Sequence, residues 1–250
     1  MSRAVIVTGG SRGIGKAIAR AFAEAGDKVA IVSRNADACG AAAAEIGRGC
    51  IGIGAHVADA DAAAAAIETV LGRFGGLDVL VNNAATNPYA GPTIDIDLPR
   101  WRKTLEVNLT GPLIWSQLAW QRAMRDGPEG ASILNVGSVG GLWTSPDHGA
   151  YDVSKAALHH LTRQLAAELG PKVRVNCIAP GLTKTDFNAR LFDDDPDGAK
   201  LSRDYPLQRL GRLEDMSAAA LFLASEQAGW ITGQLLAIDG GGQIGFQRTG

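Results

Sequence analysis

The chain has 250 residues, 46% of them hydrophobic and 20% charged, with a formal net charge of -2. Those values are those of a soluble globular protein, and with no long basic run nothing points to nucleic acid as a partner. Three cysteines, Cys39, Cys50 and Cys177, are too few and too scattered for a disulfide framework or a zinc site.

In chain order, the first strand is RAVIVT, which runs into a glycine-rich turn, and IGKAIARAFAEAG then carries apolar residues at helical spacing as far as Gly26. The opening apolar run, like every later one, is too short for a secretory core or a membrane span, so no membrane partner and a cytoplasmic location are expected. KVAIVS is a second strand and the alanine-rich ADACGAAAAEIG a second helix. CIGIGA, DVLVN, ASILNVGS and KVRVNCIA are further strands with helical neighbours, and GQLLAID is a late seventh. Long apolar helices are expected around 98–126 and 150–170. This alternation builds βαβ units: an α/β chain, residues 1–250 in a single domain, with a Rossmann-type doubly wound parallel sheet of about seven strands and helices on both faces. Residues 186–206 break the rhythm. They are polar, include DDDPDG and follow the sixth strand, where such sheets bind ligands, so a substrate lid is expected there.

The segment TGGSRGIG lies between the first strand and the first helix. Its glycines permit a tight turn, and the helix N-terminus supplies amides and partial positive charge for a pyrophosphate. Gly9, Ser11, Arg12, Gly13, Ile14 and Gly15 are therefore candidate dinucleotide contacts. At the end of the second strand an acidic residue would bind the ribose of NAD. This chain has Ser33 and Arg34 instead, with Arg12 inside the glycine turn. Two guanidiniums without a carboxylate match a 2′-phosphate, so NADP(H) is favoured and NAD(H) remains an alternative; merely solvated arginines are the plain reading.

In HGAYDVSKAAL, Tyr151 and Lys155 are one helical turn apart on one face. They could be a surface pair, or a proton donor with a cation beside it. A phenol titrates near ~10, and bringing it near neutrality takes about 4 kcal/mol. A cation at ~4 Å supplies about 1 kcal/mol in bulk water and about 4 kcal/mol at an intermediate dielectric, so the pair needs a shielded site. Farther upstream, Pro112 has no amide to give the carbonyl of Asn108, which marks either a helix kink or a carbonyl left free for water.

TGGSRGIG, NNAA, Asn108, Ser138, YDVSK and PGLTKT, in that order and spacing, resemble the short-chain dehydrogenase/reductase family over nearly the whole chain, and ITGQLLAIDGG is similar to its last strand. The resemblance implies interconversion of an alcohol and a ketone or aldehyde with NAD(P). Tyr151 would be the acid or base, Lys155 its cation and a holder of the nicotinamide ribose. Ser138 would donate to the substrate oxygen, and Asn108 would anchor a proton-relay water. Asn83 and Ala84 would lie against the cofactor, Pro180, Gly181, Thr183 and Thr185 near the nicotinamide, and Val57 near adenine through its backbone. His56 stands where many members carry an adenine-binding aspartate, which puts a side-chain contact there in doubt. The resemblance also implies homodimers or homotetramers, and its branches include 3-oxoacyl-ACP reductases and NADP-dependent carbonyl or retinal reductases.

Trp143, His148, Phe187, Leu191 and Phe192, with Ser138, are expected to line an apolar substrate pocket, packing of lid against body being the plainer alternative. A serine hydrolase would need GxSxG, and VGSVGG lacks it. A non-catalytic dinucleotide-binding module would be expected to lack one of Ser138, Tyr151 and Lys155. Asp193, Asp195, Asp197 and Gly198 imitate the start of a calcium loop, but Lys200 stands at its apolar position, and no metal is expected.

Overall fold

The structure, a computed structural model, describes residues 2–144 and 146–244, apart from the side chains at 190 and 204. The apolar runs at β1 (Ala4–Thr8), β2 (Lys28–Ser33), β4 (Val79–Asn82), β5 (Ala131–Val136) and β6 (Val173–Pro180) are buried almost throughout, as strands covered on both faces must be. With β3 (Ile51–Gly54) and β7 (Leu235–Ile238) they form one parallel seven-stranded sheet of order β3-β2-β1-β4-β5-β6-β7. The order reverses between β1 and β4, whose registers on the shared strand are Val7↔Ile31 on one side and Val7↔Val81 on the other.

Side chains alternate between two cores. Ile6, Leu80, Ile133 and Val175 face α3 (Ala60–Phe74), α5 (Gly111–Ala119) and α6 (Gly149–Leu169). Val5, Val7, Ile31 and Leu134 face α1 (Gly13–Glu24), α2 (Ala36–Ile46) and α7 (Leu213–Leu223). In the first core Trp115 is fully buried, and its Nε1 donates to the Val57 carbonyl at 3.1 Å. Trp115→Ala is expected to cost about 3–5 kcal/mol, read as a lowered urea midpoint, because it leaves a cavity and an orphaned carbonyl.

The helix expected around 98–126 is one run with two widened turns. α4 (Leu98–Leu105) passes through a π turn at Glu106–Thr110 into α5, and a second π turn follows at Trp120–Met124. Pro112, with no N–H for the carbonyl one turn back, explains the first: Gly111 N–H bonds Glu106 instead. The segment 186–206 contains only short 3-10 turns, Asp186–Phe192 and Leu201–Asp204. Its Asp195 carboxylate accepts from the N–H groups of Ala199, Lys200 and Leu201 at 2.9–3.2 Å, so it caps a turn within the segment. Among the described residues, no helix is long and apolar enough to cross a membrane.

Candidate active site

A cavity of about 880 Å³ opens at the carboxyl ends of the strands, across the point where the strand order reverses. Its floor is tied by Thr8, whose Oγ1 accepts from the N–H groups of Asn83 and Ala84 at 3.0 and 3.2 Å. Asn83 Nδ2 donates back to the carbonyls of Thr8 and Gly9 at 2.9 and 3.1 Å, locking the ends of β1 and β4 together. The glycine turn is shaped by this lock. Gly9 has φ 64°, and a methyl on Gly15 would fall 2.3 Å from Asn83 Nδ2 and 2.4 Å from the Gly9 carbonyl. Only glycine fits at either place.

The turn suits a pyrophosphate. The N-terminus of α1 has no side-chain cap and no acidic residue in its first turn, so its N–H groups face the cavity unneutralised. Ser11, Arg12, Gly13, Ile14, Ser33 and Arg34 line this end. Arg34 is exposed, and Arg12 makes an exposed 3.6 Å pair with Asp186 that gives way readily, so both guanidiniums can turn to a ligand. At the adenine end His56 Nδ1 accepts from Ala58 N–H at 3.1 Å, while Nε2 lies 3.1 Å from Lys103 Nζ. Burial first, and the Lys103 charge second, hold the imidazole below its usual pKa. Val57 lines the cavity, its carbonyl engaged by Trp115.

At the other end, α6 presents Tyr151 and Lys155 one turn apart, with Ser138 at the end of β5 hydrogen-bonded to the Tyr151 hydroxyl. Ser138 Oγ also accepts from Gly140 N–H at 3.1 Å, which leaves its own proton for Tyr151 or for a substrate oxygen. Burial pushes the Tyr151 phenol up to about 12, against a smaller downward pull from Ser138. The expected lowering by Lys155 does not operate in this arrangement. Its ammonium, 5.6 Å from the phenol ring centre, donates to the Val136 carbonyl at 2.8 Å. Burial brings Lys155 itself down to about 8.

Pro180, Gly181, Thr183 and Thr185 close the cavity from β6. Trp143, His148, Phe187 and Leu191 line its mouth, and the Phe187 ring lies 5.7 Å from that of Tyr151. Phe192 does not join them. It is buried inside the 186–206 segment, in van der Waals reach of Gly198 and with Lys184 Nζ 5.5 Å from its ring centre, because the 3-10 turn puts it on the inner side. Asn108 is also off the wall. Its side chain is fully buried, accepting from Thr86 N–H at 2.8 Å and donating to the Thr86 carbonyl and Ser154 Oγ at 2.9 and 3.0 Å. Ser154 Oγ donates on to the Tyr151 carbonyl at 2.6 Å, so Asn108 ties the loop after β4 to the first turn of α6.

Among the wall residues that escape the motif reading are Lys103, Asn188 and Tyr205. Asn188 had a local signal, a polar side chain three residues after Thr185 as in the back-bond of a capping box, and it staples that loop by accepting from Thr185 N–H at 2.9 Å and donating to the Thr183 carbonyl at 2.8 Å. Lys103 and Tyr205 had none; packing alone brings them there.

Residues 9–243 match a family model described as enoyl-(acyl carrier protein) reductase. The chain is 38% identical to mouse dehydrogenase/reductase SDR family member 4 over 96% of its own length and 87% of that protein's. Among solved structures it is similar to a short-chain dehydrogenase from Burkholderia cenocepacia in complex with NADP, at TM-score 0.86 and 38% identity over 96% of this chain and 97% of that one. It is also similar to 3-ketoacyl-(acyl-carrier-protein) reductase from Brucella melitensis complexed with NADH, at TM-score 0.89 and 30% identity over 97% and 98%. A glycine turn pinned to β4, a serine at the end of β5 and a tyrosine–lysine turn on α6, all on one cavity and matched from end to end by such relatives, place the chain in the short-chain dehydrogenase/reductase family.

Proposed function

We propose that this oxidoreductase uses NADP(H), and NAD(H) less well, to interconvert a ketone or aldehyde and an alcohol. Its substrates on this reading are 3-oxoacyl thioesters or, as the second possibility, simple carbonyl and dicarbonyl compounds. The reading also has it working in the cytoplasm as a homotetramer or homodimer. The observation that carries the reaction is the convergence of Ser138, Tyr151 and Lys155 on the wall that also holds the glycine turn. Arg12 and Arg34, with no carboxylate at the end of β2, support the 2′-phosphate, and the open first turn of α1 supports the pyrophosphate.

When bound, the nicotinamide supplies the hydride in reduction and accepts it in oxidation. Tyr151 Oη holds the proton that passes to the substrate oxygen as negative charge develops there. With its pKa pushed up to about 12 the phenol is fully protonated near neutrality, which suits the reducing direction. Ser138 Oγ donates a second hydrogen bond to the same oxygen and orients it. For oxidation Tyr151 must first lose its proton, and the Lys155 ammonium favours that loss if it swings from the Val136 carbonyl toward the phenol. Phe187, Leu191 and Trp143 shield the mouth and raise the local worth of that charge. The 186–206 segment, which carries two of those side chains, serves as the lid.

The test is a panel of acetoacetyl thioesters, dicarbonyls and simple ketones, followed by loss of NADPH absorbance. Turnover of at least one class, faster with NADPH than with NADH, is expected. No turnover with any, from protein that binds NADPH, would remove the catalytic reading.

A further inference from the structure

His159 lies one helical turn after Lys155 on α6 and is 6% exposed. No hydrogen bond of good geometry reaches either ring nitrogen, although the Gly141 backbone lies near enough to act on the ring. A buried imidazole so poorly partnered costs stability that an apolar side chain of similar bulk would not, so folding energy does not account for it.

Its surroundings do. A methyl built on Gly137 would fall 2.4 Å from His159 Nε2, and one built on Gly141 would fall 2.5 Å from Cε1. These two glycines flank Ser138, so the imidazole occupies the space that both leave, directly behind the catalytic segment. From β6 the Cys177 Sγ presses on Gly137, 2.9 Å from the same methyl position. The neighbouring Val136 carbonyl takes the hydrogen bond from Lys155 Nζ. Serine segment, lysine and imidazole are thus one packed unit.

We propose that His159 is a positioning residue, whose uncharged ring holds the 137–141 segment, and with it the Ser138 hydroxyl, against Tyr151. The proposal rests on the reading of Ser138 as the catalytic hydroxyl. The groups facing the ring are Lys155 and Arg163 from α6, Cys177 from β6 and the Gly141 backbone. Burial, then the Lys155 charge, holds His159 down to about 4. A displaced segment would expose an imidazole of ordinary pKa, ~6.5. Between those values the displaced form binds the extra proton, so the packed arrangement is intact above pH ~6.5 and weakens as pH falls toward 4.

The experiment compares His159→Ala and His159→Leu in the full chain. His159→Ala is expected to lower kcat for carbonyl reduction about tenfold or more at pH 7, with the NADPH Kd, read by tryptophan fluorescence, within about threefold. His159→Leu, which restores bulk without a titratable group, should return kcat to near wild type. It should also flatten the fall in thermal midpoint and activity between pH 6.5 and 4. An unchanged kcat in His159→Ala, or equal losses of kcat and NADPH affinity in both variants, would overturn the proposal. If His159→Ala does not fold, the leucine variant decides alone: an acid limb identical to wild type overturns it. Full activity of Ser138→Ala would instead remove the catalytic reading beneath it.

Discussion

Tyr151→Phe is expected to lower kcat for carbonyl reduction by about a thousandfold or more, while the Kd for NADPH changes less than about threefold. The substitution removes one oxygen and keeps the ring that packs 5.7 Å from Phe187 and lies over the Lys155 ammonium. Volume and aromatic contact are conserved, so the fold is not at stake. What disappears is the proton at Oη. A positioned general acid contributes about 10²–10⁴ in rate, and the Ser138 hydroxyl is no substitute, because donating its proton would leave a far more basic alkoxide. Single-turnover kinetics with tryptophan-to-NADPH energy transfer separates the two quantities. Equal losses of binding and turnover would make the tyrosine structural, and an unchanged kcat would remove it from the chemistry.

Ser33→Asp together with Arg34→Ala should reverse the cofactor preference, shifting the ratio of kcat/KM for NADPH over NADH by about a hundredfold or more. Hydrogen bonds to a charged partner contribute about 1.5–3 kcal/mol each, and tenfold in a constant corresponds to about 1.4 kcal/mol. Removing the Arg34 fork and setting a carboxylate at the end of β2 therefore acts twice against a 2′-phosphate, and the new carboxylate can accept from the ribose hydroxyls of NADH. Arg12 persists in the variant on the rim of the glycine turn, which limits the reversal. Steady-state measurement of both cofactors, repeated at two salt concentrations, checks the electrostatic origin: the preference of the native chain should weaken as salt rises. A ratio unmoved by the double substitution would place phosphate recognition elsewhere on the wall.

The fold was legible because its signals are local. A strand buried on both faces must be apolar at nearly every position, so β2 coincides with KVAIVS and β5 lies wholly inside ASILNVGS. Glycine positions carried the turn after β1, since Gly9 and Gly15 meet atoms of Asn83 and Ala84, just past β4, and of the turn itself that leave no room for a methyl. Less was legible at the site. Phe192 reads like its neighbours Phe187 and Leu191, and only the 3-10 turn that buries it against Gly198 separates it from the cavity mouth. The Tyr151–Lys155 pair was visible as a spacing, but spacing cannot say which acceptor an ammonium chooses, and here it is the Val136 carbonyl. Lys103 reaches His56 across 47 residues, and no local pattern announces it.

The sequence by itself determined the doubly wound parallel sheet, the glycine turn on α1 and the identity of the groups available for proton transfer, because these follow from apolar periodicity, backbone freedom and side-chain chemistry. The tertiary structure decided which of those groups share a wall, that Tyr151 is pushed up and not down, and that an imidazole lies behind the serine segment. Those outcomes depend on burial and on contacts between residues distant in the chain, and both exist only once the helices have packed on the sheet.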